Sequence, residues 1–323
     1  MTTDKNESYA LVTGASGGIG LELAKEFAKN GINLVLVARS ESKLQTLADF
    51  LELEYKVKTK VIAKDLSLLQ EVEALYHQLE YEKIRVDYLV NNAGFGDYAL
   101  FHEAEWNKLH EMINLNITAL TRLSHLYAKD MVNRGFGKIM NVASTAAFLP
   151  GPLMAVYFAT KSYVLFLSEA MASELEGKGV TVTALCPGAT ESGFQSAAAL
   201  EESRMVKGKK LPTSAEVAAY GYKSMMKGKA VAIHGVMNYL MANSVRFSPR
   251  SMVVKLVKKL QEIQGHSTGF SAFAKRYNSN KLGLNYYFIN PMKTTKNNVY
   301  IGLYLKSNFG QADFAELSVG CAF

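Results

Sequence analysis

Seven short apolar runs alternate with helix-length amphipathic segments over the first 235 residues, and no other feature constrains the fold so narrowly. The runs are YALV (9–12), NLVLVA (33–38), KVIA (60–63), VDYLV (86–90), KIMNVA (138–143), VTVTALC (180–186) and AVAIHG (230–235). Between them, helical periodicity covers 19–29, 41–54, 68–81, 105–133, 153–176 and 214–227. Strands that are apolar along nearly their whole length are buried on both faces, and amphipathic helices supply the cover. The pattern predicts an α/β doubly wound Rossmann fold with a mainly parallel sheet of about seven strands.

Two helical stretches follow. The first spans 235–245. The second opens at Ser248 and Pro249, an N-cap and first-turn signature. Its expected apolar stripe is Met252, Val253, Leu256, Val257, Leu260 and Ile263, with Lys255, Lys258 and Lys259 elsewhere. Beyond about residue 265 the chain becomes rich in Asn, Gly, Ser and aromatics, with strand-like pieces at 285–289 and 299–305 but no motif. The expected organisation is a Rossmann domain at 1–235, a helical extension at 236–265, and an unassigned tail at 266–323, either β-rich or disordered.

Composition narrows the class. The chain has 323 residues, 49% hydrophobic and 20% charged, as in ordinary soluble proteins. Its apolar runs are too short to span a bilayer, and the polar first ten residues lack a secretory pattern. Two cysteines, Cys186 and Cys321, make no disulfide framework, so a reduced, cytoplasmic setting is expected. Of the net charge of +7, residues 266–323 carry +4. No aromatic-basic ladder or helix-turn-helix pattern accompanies it, which disfavours nucleic acid.

Two stretches carry chemistry. TGASGGIG (13–20) lies between the first strand and first helix, where Gly14, Gly18 and Gly20 allow close backbone approach. A helix N-terminus there offers N–H groups to a pyrophosphate, and Ser16 and Ile19 belong to the same cofactor-binding turn. The second strand ends in VARS, with Arg39 where an acidic residue would hold the ribose hydroxyls of NAD(H). A guanidinium suits a 2′-phosphate, so NADP(H) is expected in preference to NAD(H). In AVYFATKSYV (155–164), Tyr157 and Lys161 lie four residues apart on one helix face. Such a pair is either a surface Lys snorkelling beside a Tyr or an acid/base couple in which the ammonium favours phenolate.

These motifs, in this order, resemble the short-chain dehydrogenase/reductase family over about residues 9–235. Four more agree: NNAG (91–94), Asn116 within NLNITAL, Ser144 after the fifth strand, and Pro187–Gly188 with Thr190 after the sixth. The resemblance implies that Asn116, Ser144, Tyr157 and Lys161 are catalytic. Tyr157 would exchange the proton, and Ser144 would hold the carbonyl oxygen. Lys161 would bind the nicotinamide ribose and, with the oxidised ring's charge, lower the Tyr157 pKa, and Asn116 would position a water. Asp65 would contact adenine or merely cap a helix; Asn92, Gly94, Pro187, Gly188 and Thr190 would complete the cofactor site. No metal is implied, and the family commonly forms dimers or tetramers.

Around the expected centre lie Phe95, Phe148, Leu149, Pro150, Met154, Val156 and Phe194, without clustered cations. An apolar ketone or alcohol is therefore the expected small-molecule substrate. Residues 189–212 have the length and small-residue content of a lid. The expected activity is NADP-dependent interconversion of a carbonyl and an alcohol. The alternatives are a 3-oxoacyl thioester reductase, with Lys207, Lys209 and Lys210 near its mouth, and a non-catalytic NADP-sensing protein. The helix at 249–263 is expected either to pack on protein or to make peripheral membrane contact.

Overall fold

Strand β2 (Asn33–Ala38) shows how sequence dictates the layers. Leu34 and Leu36 point into one core with Phe27 and Leu44, while Val35 and Val37 point into a second with Leu75 and Leu89. All four strand residues are fully buried, so the two-residue period of the strand feeds both faces of the sheet. The computed structural model describes residues 8–191 and 211–261, and the backbone of 284–287 and 304–307.

The sheet has the order β3-β2-β1-β4-β5-β6-β7, with every neighbouring pair parallel. Its other strands are β1 (Tyr9–Thr13), β3 (Thr59–Ala63), β4 (Val86–Asn91), β5 (Gly137–Val142), β6 (Val180–Cys186) and β7 (Val231–Ile233). Helices α1 (Gly18–Lys29), α2 (Glu41–Tyr55) and α7 (Ser214–Met226) bury Phe27, Leu51 and Met225 in the first core. Helices α3 (Leu69–Tyr81) and α5 (Leu120–Arg134) bury Leu75 and Leu123 in the second. After β1 the chain winds toward β3; after β4 it winds toward β7. Between β1 and β4 the strand order reverses, and the carboxyl ends of these strands border the crevice where such sheets bind ligands.

Two elements depart from expectation. The segment 105–133 is not one uniform helix. It is α4 (Trp106–Ile113), a six-residue π-helical turn (Asn114–Ala119), then α5. Beyond β7 come α8 (Val236–Ser244), a 3-10 turn (Val245–Phe247) and α9 (Arg250–Gln261). The stripe expected on α9 is divided. Val253 and Val257 are buried, whereas Met252, Leu256 and Leu260 are exposed; Ile263 lies outside the described residues. Apolar residues occupy two neighbouring rows of this helix, and the domain covers only one of them.

The chain separates into two compact units, Met1–Glu262 and Ile263–Phe323. Within the second, β8 (Leu284–Tyr287) pairs antiparallel with β9 (Tyr304–Ser307), Leu284 opposite Ser307.

The first core has an aromatic centre. The Phe27 ring meets Tyr222 edge-on at 5.1 Å and Tyr88 at 5.5 Å between centroids. Phe27→Ala should therefore cost about 3–5 kcal/mol, read as a lowered urea midpoint by circular dichroism.

Candidate active site

Strand ends at the switch point are held by side chains in place of a ladder. The Thr13 hydroxyl accepts from the backbone N–H groups of Asn92 and Ala93, both at 3.0 Å, and donates to the Val90 carbonyl. Asn92 Nδ2 donates to the carbonyls of Thr13 (2.9 Å) and Gly14 (3.2 Å). Gly14 takes φ +67°, where a side chain is strained, and a Cβ there would lie 2.8 Å from Asn92 Nδ2. A Cβ on Gly20 would lie 2.4 Å from the Gly14 carbonyl oxygen, so glycine lets α1 press against its own entry turn. No side chain caps α1 and its first turn contains no acid, which leaves N–H groups and the positive helix end for a phosphate. Ser16 and Ile19, half-buried, lie on the same turn.

Arg39 follows β2. It is 70% exposed, and its nearest charge partner is Glu111 on α4, at 3.5 Å. Exposed pairs of this kind contribute about 0–1 kcal/mol, so the guanidinium is free to exchange Glu111 for a phosphate. Asp65 is engaged locally: Oδ1 accepts from the Ser67 N–H (3.0 Å) and hydroxyl (2.8 Å) in the turn before α3. It caps no helix, since α3 starts after Leu68 without a side-chain cap.

Helix α6 (Ala155–Glu174) begins after the Pro-Gly-Pro bend and carries Tyr157 and Lys161 inward. Both are buried, so the snorkelling-lysine reading fails. Lys161 is 6% exposed; its ammonium donates to the Val142 carbonyl at 2.8 Å and sits 5.8 Å from the Tyr157 ring centroid. Burial pushes its pKa down to about 8. Tyr157 is pushed the other way, to about 12, by burial, against which a hydrogen bond with the Ser144 side chain acts. Burial is thus the larger influence on the phenol; the expected lowering by Lys161 together with the oxidised nicotinamide concerns the protein with its dinucleotide bound.

Ser144 caps the short 3-10 turn Thr145–Phe148, its hydroxyl accepting from the Ala146 N–H at 3.1 Å. Asn116 lies in the π turn, a distortion that recurs at functional sites. Its side chain is buried: Nδ2 donates to the Phe95 carbonyl (2.9 Å) and Thr160 hydroxyl (3.1 Å), and Oδ1 accepts from the Phe95 N–H. It ties the loop after β4 to α6 and is not a solvent-facing helix residue. A Cβ on Gly94 would lie 2.9 Å from Asn116 Oδ1 and 3.5 Å from Lys161 Nζ, so these three residues converge. At β6, the Pro187 carbonyl accepts from the Thr145 N–H, and the buried Thr190 hydroxyl donates to the Gly188 carbonyl.

A buried polar chain beneath this centre was not anticipated. Asn91 Nδ2 donates to Asn141 Oδ1 (2.9 Å) and the Ser124 hydroxyl (3.0 Å), and Asn141 Nδ2 donates to the Ser168 hydroxyl (3.0 Å). It joins β4 and β5 to α5 and α6. Its signal in the sequence was Asn141, a polar residue inside the apolar run KIMNVA.

Apolar side chains enclose the Tyr157 side. Met154, Phe158, Val253 and Val257 form one buried cluster with it, against which Phe95, Leu149 and Val156 pack. Phe148 packs in a neighbouring cluster. Phe194, the three lysines 207, 209 and 210, and most of the lid segment lie outside the described residues.

The short chain dehydrogenase family model matches residues 8–203. The chain belongs to the short-chain dehydrogenase family. The very-long-chain 3-oxoacyl-CoA reductase of Rattus norvegicus is 34% identical over 185 residues, 55% of this chain. The chain spans only 58% of that relative's length. A short-chain dehydrogenase from Sphingobium yanoikuyae, solved with NADPH, superposes with a TM-score of 0.67 at 30% identity, covering 81% of this chain and 99% of that one. The bulky-bulky ketone specific alcohol dehydrogenase from Comamonas testosteroni gives 0.64 at 30% identity, covering 84% and 98%. Family membership brings a nicotinamide dinucleotide. The uncapped α1 terminus, the close glycine turn and a buried ammonium with one carbonyl partner fit such a group.

The depressed Lys161 pKa has a stability consequence. Below pH 8 the folded state carries a desolvated charge; from pH 8 to 10.5 the unfolded state holds more protons, so stability rises with pH through that window. Relative to Lys161→Met, the wild-type protein should gain about 3 kcal/mol across it, measured as the difference in urea midpoints at pH 7 and pH 10.

Proposed function

We propose that this protein is an NADPH-dependent reductase that converts an apolar ketone to its alcohol. The observation that carries the reading is the buried Tyr157 phenol, with half-buried Ser144, beside the buried Lys161 ammonium, at the switch-point crevice and against an apolar cluster. When bound, the dinucleotide supplies the hydride. Gly14, Ser16, Gly18, Ile19 and Gly20 would hold its pyrophosphate, and Asn92 and Gly94 would shape the wall. Pro187, Gly188 and Thr190 would hold its amide end.

The residues of the chain then do the rest. The Ser144 hydroxyl donates to the substrate carbonyl oxygen and shares the charge that develops there. Tyr157, kept protonated by burial, donates its proton to that oxygen. Lys161 offers its remaining N–H groups to ribose hydroxyls and, as a cation, favours the phenolate left behind. Asn116 fixes α6 against the Phe95 loop, so the donor atoms keep their spacing. The apolar cluster excludes water and favours a substrate without charged groups near its carbonyl.

Preference for NADPH rests on Arg39, with the NADPH complex of the Sphingobium relative in support. The name of the Comamonas relative supports a bulky ketone, and that of the rat relative supports a second reading, a 3-oxoacyl thioester. The two differ in whether a coenzyme A ester raises kcat/KM over a free ketone of equal apolar size. A purely nucleotide-sensing role has no need of the complete set Asn116, Ser144, Tyr157 and Lys161. A reducing cytoplasmic setting suits the free, buried Cys186, and assembly with further copies is carried over from the family.

Calorimetry of NADPH and NADH on wild type and Arg39→Glu tests the cofactor assignment. Wild type should favour NADPH by at least about tenfold, the scale of a charge-assisted hydrogen bond, and Arg39→Glu should abolish that preference. Equal wild-type affinities would contradict it.

A further inference from the structure

Residues 236–261 contain Arg246, Arg250, Lys255, Lys258 and Lys259 and no Asp or Glu. The same stretch exposes large apolar side chains that the domain leaves uncovered. Met237 on α8 is 76% exposed, Phe247 in the connecting turn 90%, and Met252 and Leu256 on α9 are 66% and 58% exposed. Met252, Leu256 and Leu260 recur every four residues and so share one face of α9. All five cations are exposed as well.

We propose that α8, the Phe247 turn and α9 form a docking face for an anionic lipid bilayer, with Met252, Leu256 and Phe247 entering the acyl boundary and the five cations meeting headgroup phosphates. An exposed apolar row flanked by lysines is the composition of a helix that lies in the plane of the interface. Long Lys and Arg stems lie along apolar surface while their charges reach outward. No helix among the described residues is long and apolar enough to cross a membrane, so the contact is superficial.

Charge selects this occupant over the others. A second copy docking through the same patch would bring five cations against five, with no carboxylate on the stretch to separate them. Residues 266–323 hold six Lys and Arg against two Asp and Glu, so they too complement the patch poorly. Nucleic acid would match the charge but leave Phe247, Met252 and Leu256 against water or phosphate. An anionic bilayer satisfies both features at once. The neighbouring row of α9, Val253 and Val257, packs into the cluster that contains Met154 and Tyr157. Docking would therefore hold the apolar end of the site near the lipid, where apolar carbonyl compounds concentrate.

Flotation of the full chain with phosphatidylcholine vesicles, with and without phosphatidylserine, tests the proposal without recourse to activity. Wild type should float with the anionic vesicles, weakly with the neutral ones, and less as salt is raised. The double variant Met252→Glu/Leu256→Glu and the triple variant Lys255→Gln/Lys258→Gln/Lys259→Gln should each lose about tenfold or more in partitioning. These side chains are exposed, so both variants should keep the wild-type melting temperature. Absence of wild-type flotation, or flotation that neither folded variant changes, would overturn the proposal. So would concentration-dependent self-association, seen by sedimentation velocity and lost in the Met252→Glu/Leu256→Glu variant, if vesicles do not bind.

Discussion

Where two parallel strands send their chains in opposite directions, backbone groups at the strand ends lose their ladder partners and must be satisfied otherwise. In this protein Thr13 and Asn92 meet that requirement between β1 and β4. Because the Asn92 amide holds the Gly14 carbonyl, and Gly20 packs on that same carbonyl, the entry turn of α1 is fixed to the neighbouring strand. The first turn of α1, the loop bearing Gly94 and the floor of the crevice are thus tied together. A side chain at Gly20 would separate them.

The same economy operates one strand further along. The chain Asn91–Asn141–Ser168, with Ser124, crosslinks β4 and β5 to α5 and to α6, which carries Tyr157 and Lys161. Its Ser168 hydroxyl donates on to the Val164 carbonyl at 2.6 Å, while the buried Asn91 Oδ1 has no partner among the described residues. Asn116 repeats the device above it, using the π turn to aim its amide at the Phe95 backbone and Thr160. The platform is rigid, and the two titrating groups on it are tuned in opposite directions by the same desolvation. Tyr157 is held as an acid while the Lys161 charge is held near its limit.

Legibility in the sequence followed the range of the interaction. Apolar runs and helical periods are local, and the seven strands appear within two residues of where those patterns put them. The residues of the family motifs converge at the switch point for the same reason: Gly94, Asn116 and Lys161 were placed by strand and helix ends. What escaped was set by tertiary surroundings. Periodicity in 105–133 cannot show the π turn, since the widened ring is fixed by what Asn116 binds. The α9 stripe could not show which of its two rows the domain would bury. The Tyr157 pKa turned on burial, which the Tyr–Lys spacing does not contain. Asp65 was ambiguous in sequence, and local geometry resolves it into a turn.

The central claim is that the buried Tyr157 phenol is the proton donor of a ketone reduction. Its most direct test is single-turnover oxidation of bound NADPH by a bulky apolar ketone, comparing wild type with Tyr157→Phe at matched nucleotide saturation. The account predicts unchanged NADPH affinity and a rate lower by about 10²–10⁴, the contribution of a positioned general acid. Equal rates in the two proteins would contradict it, as would wild-type protein that binds NADPH tightly yet oxidises it with no ketone or 3-oxoacyl thioester.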